Sequence, residues 1–112
     1  SKVGRYTADG KNFDAGFGVW GVTALSHELQ DLAASKGGAV LTLQSRAALP
    51  LVLQRLTAAG KADAAFGANG SAEVVMPKPM SRGRVAYQND GRILVTGWTT
   101  TPPESYVTRI WD

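Results

Sequence analysis

The sequence predicts an all-β chain built on a repeated four-stranded unit, and three observations carry that reading. Residues 5–21 (RYTADGKNFDAGFGVWG) return as residues 55–70 (RLTAAGKADAAFGANG) once Asn12 is taken as an insertion. Arg5, Thr7, Ala8, Gly10, Lys11, Asp14, Ala15, Phe17, Gly18 and Gly21 recur as Arg55, Thr57, Ala58, Gly60, Lys61, Asp63, Ala64, Phe66, Gly67 and Gly70. Matched landmarks lie 49 to 54 residues apart, from Phe17 to Phe66, Gly38 to Gly91 and Arg55 to Arg109. The 13 glycines and the low charged fraction of 19% suit short strands joined by tight turns better than charged surface helices.

Taken in order, residues 2–7 form a strand that ends at the turn Ala8-Asp9-Gly10. Phe17-Gly18 opens a second turn, which leads into a short strand over 22–25. Residues 26–30 are a polar crossover. Residues 31–35 (DLAAS) are rich in helix formers, yet their counterpart 84–88 (RVAYQ) reads as strand, so the repeat overrules local propensity. Lys36-Gly37-Gly38 and Asn89-Asp90-Gly91 are hairpin turns, followed by strands over 39–43 and 92–96. Residues 46–50 and 98–104 are expected as connecting loops, with strands over 51–57 and 105–111 after them. Residues 77–83 form the second crossover. A period near fifty, with four short strands and glycine at the turns, is the pattern of a β-propeller blade.

The expected architecture is therefore two β-propeller blades of four antiparallel strands each plus an extra strand, within one segment over 1–112. Unit one covers about 5–54, unit two about 55–108, and a third begins at 109–112. Two blades cannot close a ring, which needs about four to eight. The chain is expected as part of a larger propeller or as a subunit completed by oligomerisation. Its partners are then further blades, from a longer chain or from copies of itself.

Composition excludes several classes. The chain has 112 residues, 44% of them hydrophobic, enough for a packed core. The net charge is +3, with no strand or helix carrying a run of Lys and Arg, so nucleic acid is not an expected partner. With no cysteine there is no disulfide, thiol nucleophile or Cys-based zinc site. No apolar run reaches the roughly 18 residues of a membrane helix, and residues 1–20 do not read as a signal peptide.

Two stretches resemble a known family. Residues 85–97 (VAYQNDGRILVTG) and 53–67 (LQRLTAAGKADAAFG) are similar to the two halves of the delta-60 repeat of bacterial propeller-like proteins. The resemblance spans nearly the whole chain in two copies, departing at residues 31–38, where Lys36-Gly37-Gly38 replaces the family's Asp-Gly turn. It implies a propeller fold and an exported or cell-surface setting, and it supplies no catalytic motif.

Candidate site residues come from the loops that differ between copies, since structural loops are expected to match and binding loops are free to diverge. His27 beside Glu28, four residues before Asp31, has the makings of a base with an orienting carboxylate, though no nucleophile accompanies it. Lys78, Arg82, Arg84 and Arg92 are the one basic concentration, suited to a carboxylate, phosphate or acidic glycan, and equally readable as solvated loop charge. Trp98, with Thr99, Thr100 and Thr101, offers an aromatic platform for a sugar or simply covers a blade edge. Glu104 closes that loop. Asp9, Asn12 and Asp14 only superficially resemble a calcium loop, because their spacing is wrong and Asp9 becomes Ala59. Phe17 and Phe66 are packing residues, and Arg5, Arg55 and Arg109 tie strand to strand through backbone carbonyls. No cofactor or metal is called for. The reading is a non-catalytic binding or assembly module that recognises a partner protein or small ligand through its crossover and second-to-third-strand loops. The alternative is a fragment of a propeller enzyme, a hydrolase or oxidoreductase, with catalytic residues partly outside this chain.

Overall fold

A computed structural model describes every residue except Lys36, Ala47, Ala48, Pro79, Ser81, Thr101, Trp111 and Asp112, together with the backbone alone of Leu49. The expectations at Lys36, at the 47–48 connection, at Pro79 and Ser81 in the second crossover, and at Thr101, Trp111 and Asp112 lie outside the described residues. All the regular structure among the described residues is β, in nine strands. These are β1 (Lys2–Gly4), β2 (Val22–Ala24), β3 (Glu28–Ala34), β4 (Val40–Arg46), β5 (Leu49–Leu56), β6 (Ser71–Glu73), β7 (Arg82–Tyr87), β8 (Ile93–Thr100) and β9 (Pro103–Ile110).

The strands pair into three antiparallel sheets, β1-β2, β3-β4-β5-β6 and β7-β8-β9. The expectation of two four-stranded sheets is met by one. The hydrogen-bonded unit begins at β3, whereas the sequence repeats were cut at Arg5 and Arg55, inside or beside the third strand. That third strand recurs as β1, β5 and β9. A sequence period gives the length of a unit but not its phase. Only the hydrogen bonds decide that Glu28 to Glu73 belong to one sheet.

Two expected loops are largely strand. Trp98, Thr99 and Thr100 continue β8, in register with Ser105, Glu104 and Pro103. Trp and Thr fit a half-buried pleated surface well and extend the hairpin to its tip. Glu28, Leu29 and Gln30 belong to β3 rather than to a crossover, with a register shift between Leu29 and Asp31 that leaves Gln30 as a bulge. Arg82 and Gly83 open β7 for the same reason: each pairs with a residue of β8.

The sheets lie face on face. Leu41, Leu43, Leu51 and Leu53 on one face of the four-stranded sheet form a cluster with Val85, Ile93 and Val95 of the three-stranded sheet, joined by Phe66, Val74 and Met80. Gly83 is required there, since a Cβ would stand 2.8 Å from Leu43 Cδ2 and 2.9 Å from Leu51 Cδ1. On the other face, Leu56 and Val40 meet Val3 of the first sheet together with Phe17 and Leu25 beside it. Phe17 and Phe66 are both buried, as packing residues should be.

The repeated stretch is a folded turn rather than a site. In each copy the aspartate works twice. Asp14 accepts Arg5 Nε at 3.0 Å and the amide of Gly16 at 3.0 Å, while Asp63 accepts Arg55 Nε at 2.8 Å and the amide of Ala65 at 3.1 Å. Each arginine also lies 4.9 Å from the ring centroid of its own phenylalanine, Phe17 or Phe66. The backbone-carbonyl role expected of the arginines holds for Arg5, whose guanidinium donates to the carbonyl of Ala58 in the next unit.

The following hairpin pairs Val19 with Val22, and Ala68 with Ser71. Its inner residues take positive φ, 55° at Trp20 and 87° at Gly21, against 54° at Asn69 and 92° at Gly70. Asn-Gly is the natural occupant of such a turn and tryptophan is not. Trp20 is 82% exposed and has little packing to lose. Trp20→Asn is therefore expected to stabilise the chain by about 1 kcal/mol, read as a shift in the urea midpoint at unchanged slope. Loss of stability would assign the indole a contact that outweighs the strain.

Candidate functional site

The fold divides the seven sequence-predicted residues among separate places. His27 is half-buried, just before β3, in a cleft of about 270 Å³ whose lining includes Gln44, Arg46, Gln54, Ser71 and Glu73. Its amide donates to Gln44 Oε1 at 3.1 Å. Glu28 is exposed and pairs in register with Ser45. Asp31, offered as an orienting carboxylate for His27, is committed elsewhere: its Oδ2 accepts the amide of Val85 at 2.9 Å. Among the described residues no carboxylate is hydrogen-bonded to the His27 side chain.

The His27 cleft exposes a feature that sequence reading passed over. Thr42 and Gln44 are buried in β4, alternating with Leu41 and Leu43. Gln44 Nε2 donates to Thr42 Oγ1 at 2.8 Å and to Gln54 Oε1 at 3.0 Å, while its Oε1 receives the His27 amide. Every polar atom of that buried amide is used, which is what makes its burial tolerable. The signal was present in the alternation of AVLTLQ, where Thr42 and Gln44 stand at positions that β8 fills with Val95 and Gly97. Arg46 borders the same cleft, bonded through Nη2 to Glu73 Oε1 at 3.0 Å and to the Pro50 carbonyl at 3.3 Å.

The basic concentration separates into paired and unpaired members. Lys78 Nζ lies 3.1 Å from each Glu104 carboxylate oxygen. Arg92 sits in its hairpin 3.3 Å from Asp90, whose other oxygen accepts the Arg92 amide. Arg82 and Arg84 are exposed on β7 and, among the described residues, have no hydrogen-bond or ion-pair partner. They line a groove of about 340 Å³ between β3 and β7, together with Gln30, Asp31, Gly83 and Trp98. Three predicted residues, Arg82, Arg84 and Trp98, thus meet at one place. Trp98 pairs with Arg82 across the β7–β8 ladder, and Arg84 follows two positions on, on the same face of the sheet. Gln30 is held by Ser45 Oγ at 2.9 Å on the opposite wall.

Lys78, Glu104 and Tyr106 form a third group. The Tyr106 hydroxyl donates to Glu104 Oε2. That bond, followed by the one from Lys78, holds the Glu104 carboxyl below its ordinary range. The same carboxylate raises the Lys78 ammonium and the Tyr106 phenol above theirs. The native state thus binds the Glu104 proton less readily than the unfolded chain does. Its contribution is present above the ordinary carboxylate value and is lost as pH falls through the lowered one. Tyr106 and Lys78 contribute below their ordinary values, and that contribution is lost as pH climbs through the raised ones. Glu104→Gln is expected to bring the Tyr106 phenol down towards an ordinary tyrosine, read by phenolate absorbance during an alkaline titration. An unmoved titration curve would contradict the contact.

The carboxylates near residues 9–14 serve their own turn. Asp9 Oδ1 accepts the Thr7 hydroxyl at 2.6 Å and the Lys11 amide at 3.0 Å, which together hold its carboxyl low. Among the described residues no group of three His, Asp or Glu is placed to hold a metal ion, and no helix is long and apolar enough to cross a membrane. Compared with models of protein families, with curated proteins and with solved structures, the chain matches none.

Proposed function

We propose that the chain is a non-catalytic binding and assembly module of the β-propeller type, whose partners are further blades, from a longer chain or from copies of itself. One observation carries this reading: each end of the stack exposes the face that its internal counterpart buries. Leu56 is 1% exposed beneath the first sheet, while Tyr6, at the same place in the first copy, is 59% exposed and stacks on Phe13, with ring centroids 4.7 Å apart. At the far end, Leu94, Thr96 and Val107 hold the places that Leu41, Leu43 and Leu53 hold in the middle sheet. Those three leucines are fully buried, and Val107 is 69% exposed. Exposed apolar faces of this kind mark interaction surfaces. The similarity to the delta-60 repeat supports the same reading and implies an exported or cell-surface bacterial setting.

Sedimentation over a rising concentration series tests it. Self-association is expected, and Val107→Glu, which adds a charge to an exposed strand face without touching the core, is expected to abolish it. A chain that stays monomeric at every concentration would overturn assembly through these faces.

A further inference from the structure

We infer that the groove between β3 and β7 binds a hexuronic acid unit, with Arg82 and Arg84 taking the carboxylate and Trp98 facing the sugar ring. The groove borders the outer stacking face proposed above, because Arg84 pairs with Thr96 and stands on the same face of the sheet. At the internal junction the matching residues are Glu28, Asp31 and Ser45, and these stay exposed or half-exposed after the sheets have packed. Docking of a further blade on that face therefore leaves the positions of Arg82, Arg84 and Trp98 at least half-exposed.

Arg84 departs from what the repeat needs. Asp31 pairs with Leu43 as Arg84 pairs with Thr96, so the two hold the same position in successive sheets. In the middle sheet that position caps the free edge of the next first strand, Asp31 accepting the Val85 amide. A guanidinium has no acceptor and cannot perform that task. Arg84 instead stands beside Arg82 with no partner among the described residues. Two uncompensated guanidinium groups on one strand face form a fork that suits a planar carboxylate.

The rest of the lining narrows the class. Asp31 is a carboxylate with one oxygen, Oδ1, left for a donor, and it would repel a ligand carrying several negative charges. It suits a ligand with a single negative charge and hydroxyl donors. Gln30, turned out by the bulge, adds an amide, and Trp98 adds an apolar face of the kind that covers a sugar ring. A volume of about 340 Å³ falls at the small end of ligand sites, roughly 300–1,000 Å³. One carboxylate, several hydroxyls and a ring of that size describe a uronic acid.

The test is titration of the intact chain with methyl galacturonoside, followed by calorimetry, with neutral methyl galactoside and inorganic phosphate as parallel probes. Saturable binding of the galacturonoside is expected, with both other probes at least about tenfold weaker. Arg84→Gln and Arg82→Gln are each expected to weaken it about tenfold, the effect of losing one charged hydrogen bond. Both arginines are exposed, so the variants are expected to keep the wild-type unfolding curve, which is measured alongside. The inference is overturned by absence of saturable binding, by phosphate or the neutral sugar binding as tightly, or by folded arginine variants that bind as well as the parent.

Discussion

Leu43→Ala is expected to destabilise the chain by about 2–5 kcal/mol, the range for a large-to-small change at a fully buried site. Leu43 is wholly inaccessible, and it faces the three-stranded sheet at the place where Gly83 gives up its side chain. Neither neighbour can collapse into the space. The leucine sits on a strand paired on both sides, with Asp31 and with Leu53. The glycine already lies against it. Single domains carry only about 5–15 kcal/mol in total, so the variant should unfold at a much lower urea concentration. A loss under about 1 kcal/mol would mean that the two sheets do not share this core.

The second large effect is a difference between two equivalent glycines. Gly10 and Gly60 hold the same turn, with φ of 73° and 77°. Alanine in that conformation costs about 1–2 kcal/mol at either position. Beyond that the two sites part company. A Cβ on Gly10 meets nothing within 4 Å, whereas one on Gly60 would stand 2.7 Å from the Gly18 amide nitrogen and 2.9 Å from Phe17 Cδ1. Gly60→Ala is therefore expected to cost at least about 2 kcal/mol more than Gly10→Ala, as overpacking against backbone does. The backbone conformation cancels in the comparison, and what remains is the contact between units. Equal losses in two urea titrations would show that the first sheet does not cover the 57–60 turn.

Much of this fold can be read from the repeat. The turns, the paired phenylalanines, the strand over 31–35 and the hairpin at Gly91 follow from comparing one copy with the other. Placing strand over DLAAS against its helix propensity succeeds because RVAYQ faces the same ladder. The phase of the sheets is another matter. Any cut through a period yields the same period, and the pairing of β5 with β6 across a long turn decides where a sheet ends. The loop expected over 98–104 fails because Trp98, Thr99 and Thr100 favour strand and continue β8 in register with β9.

The candidate groove is half legible. Arg82, Arg84 and Trp98 stood out by type, but Gln30 and Asp31 join them only through the bulge after Leu29 and the packing of β3 beside β7. Lys78 and Arg92 looked like members of the same basic group, and the fold gives each its own carboxylate. The pairing of Lys78 with Glu104 joins a crossover to a strand 26 residues later, which no local pattern encodes. Thr42 and Gln44 were visible as polar residues alternating with Leu41 and Leu43. Their meaning needed Gln54 and the His27 amide, which arrive from other parts of the chain.

The central claim is that like sheets stack face on face and are tied by a few hydrogen bonds from one unit to the next. Native-state hydrogen exchange at two amides tests it most directly. The Gly18 amide donates to the Ala59 carbonyl at 2.8 Å, and the Val85 amide, on the free edge of β7, donates to Asp31 at 2.9 Å. Neither bond belongs to a strand ladder, so both form only if the units sit as described. Both amides are expected to exchange as slowly as the core amides of β4, through global unfolding. Exchange at the rate of open turns, with β4 still protected, would contradict the stack while leaving the sheets themselves intact.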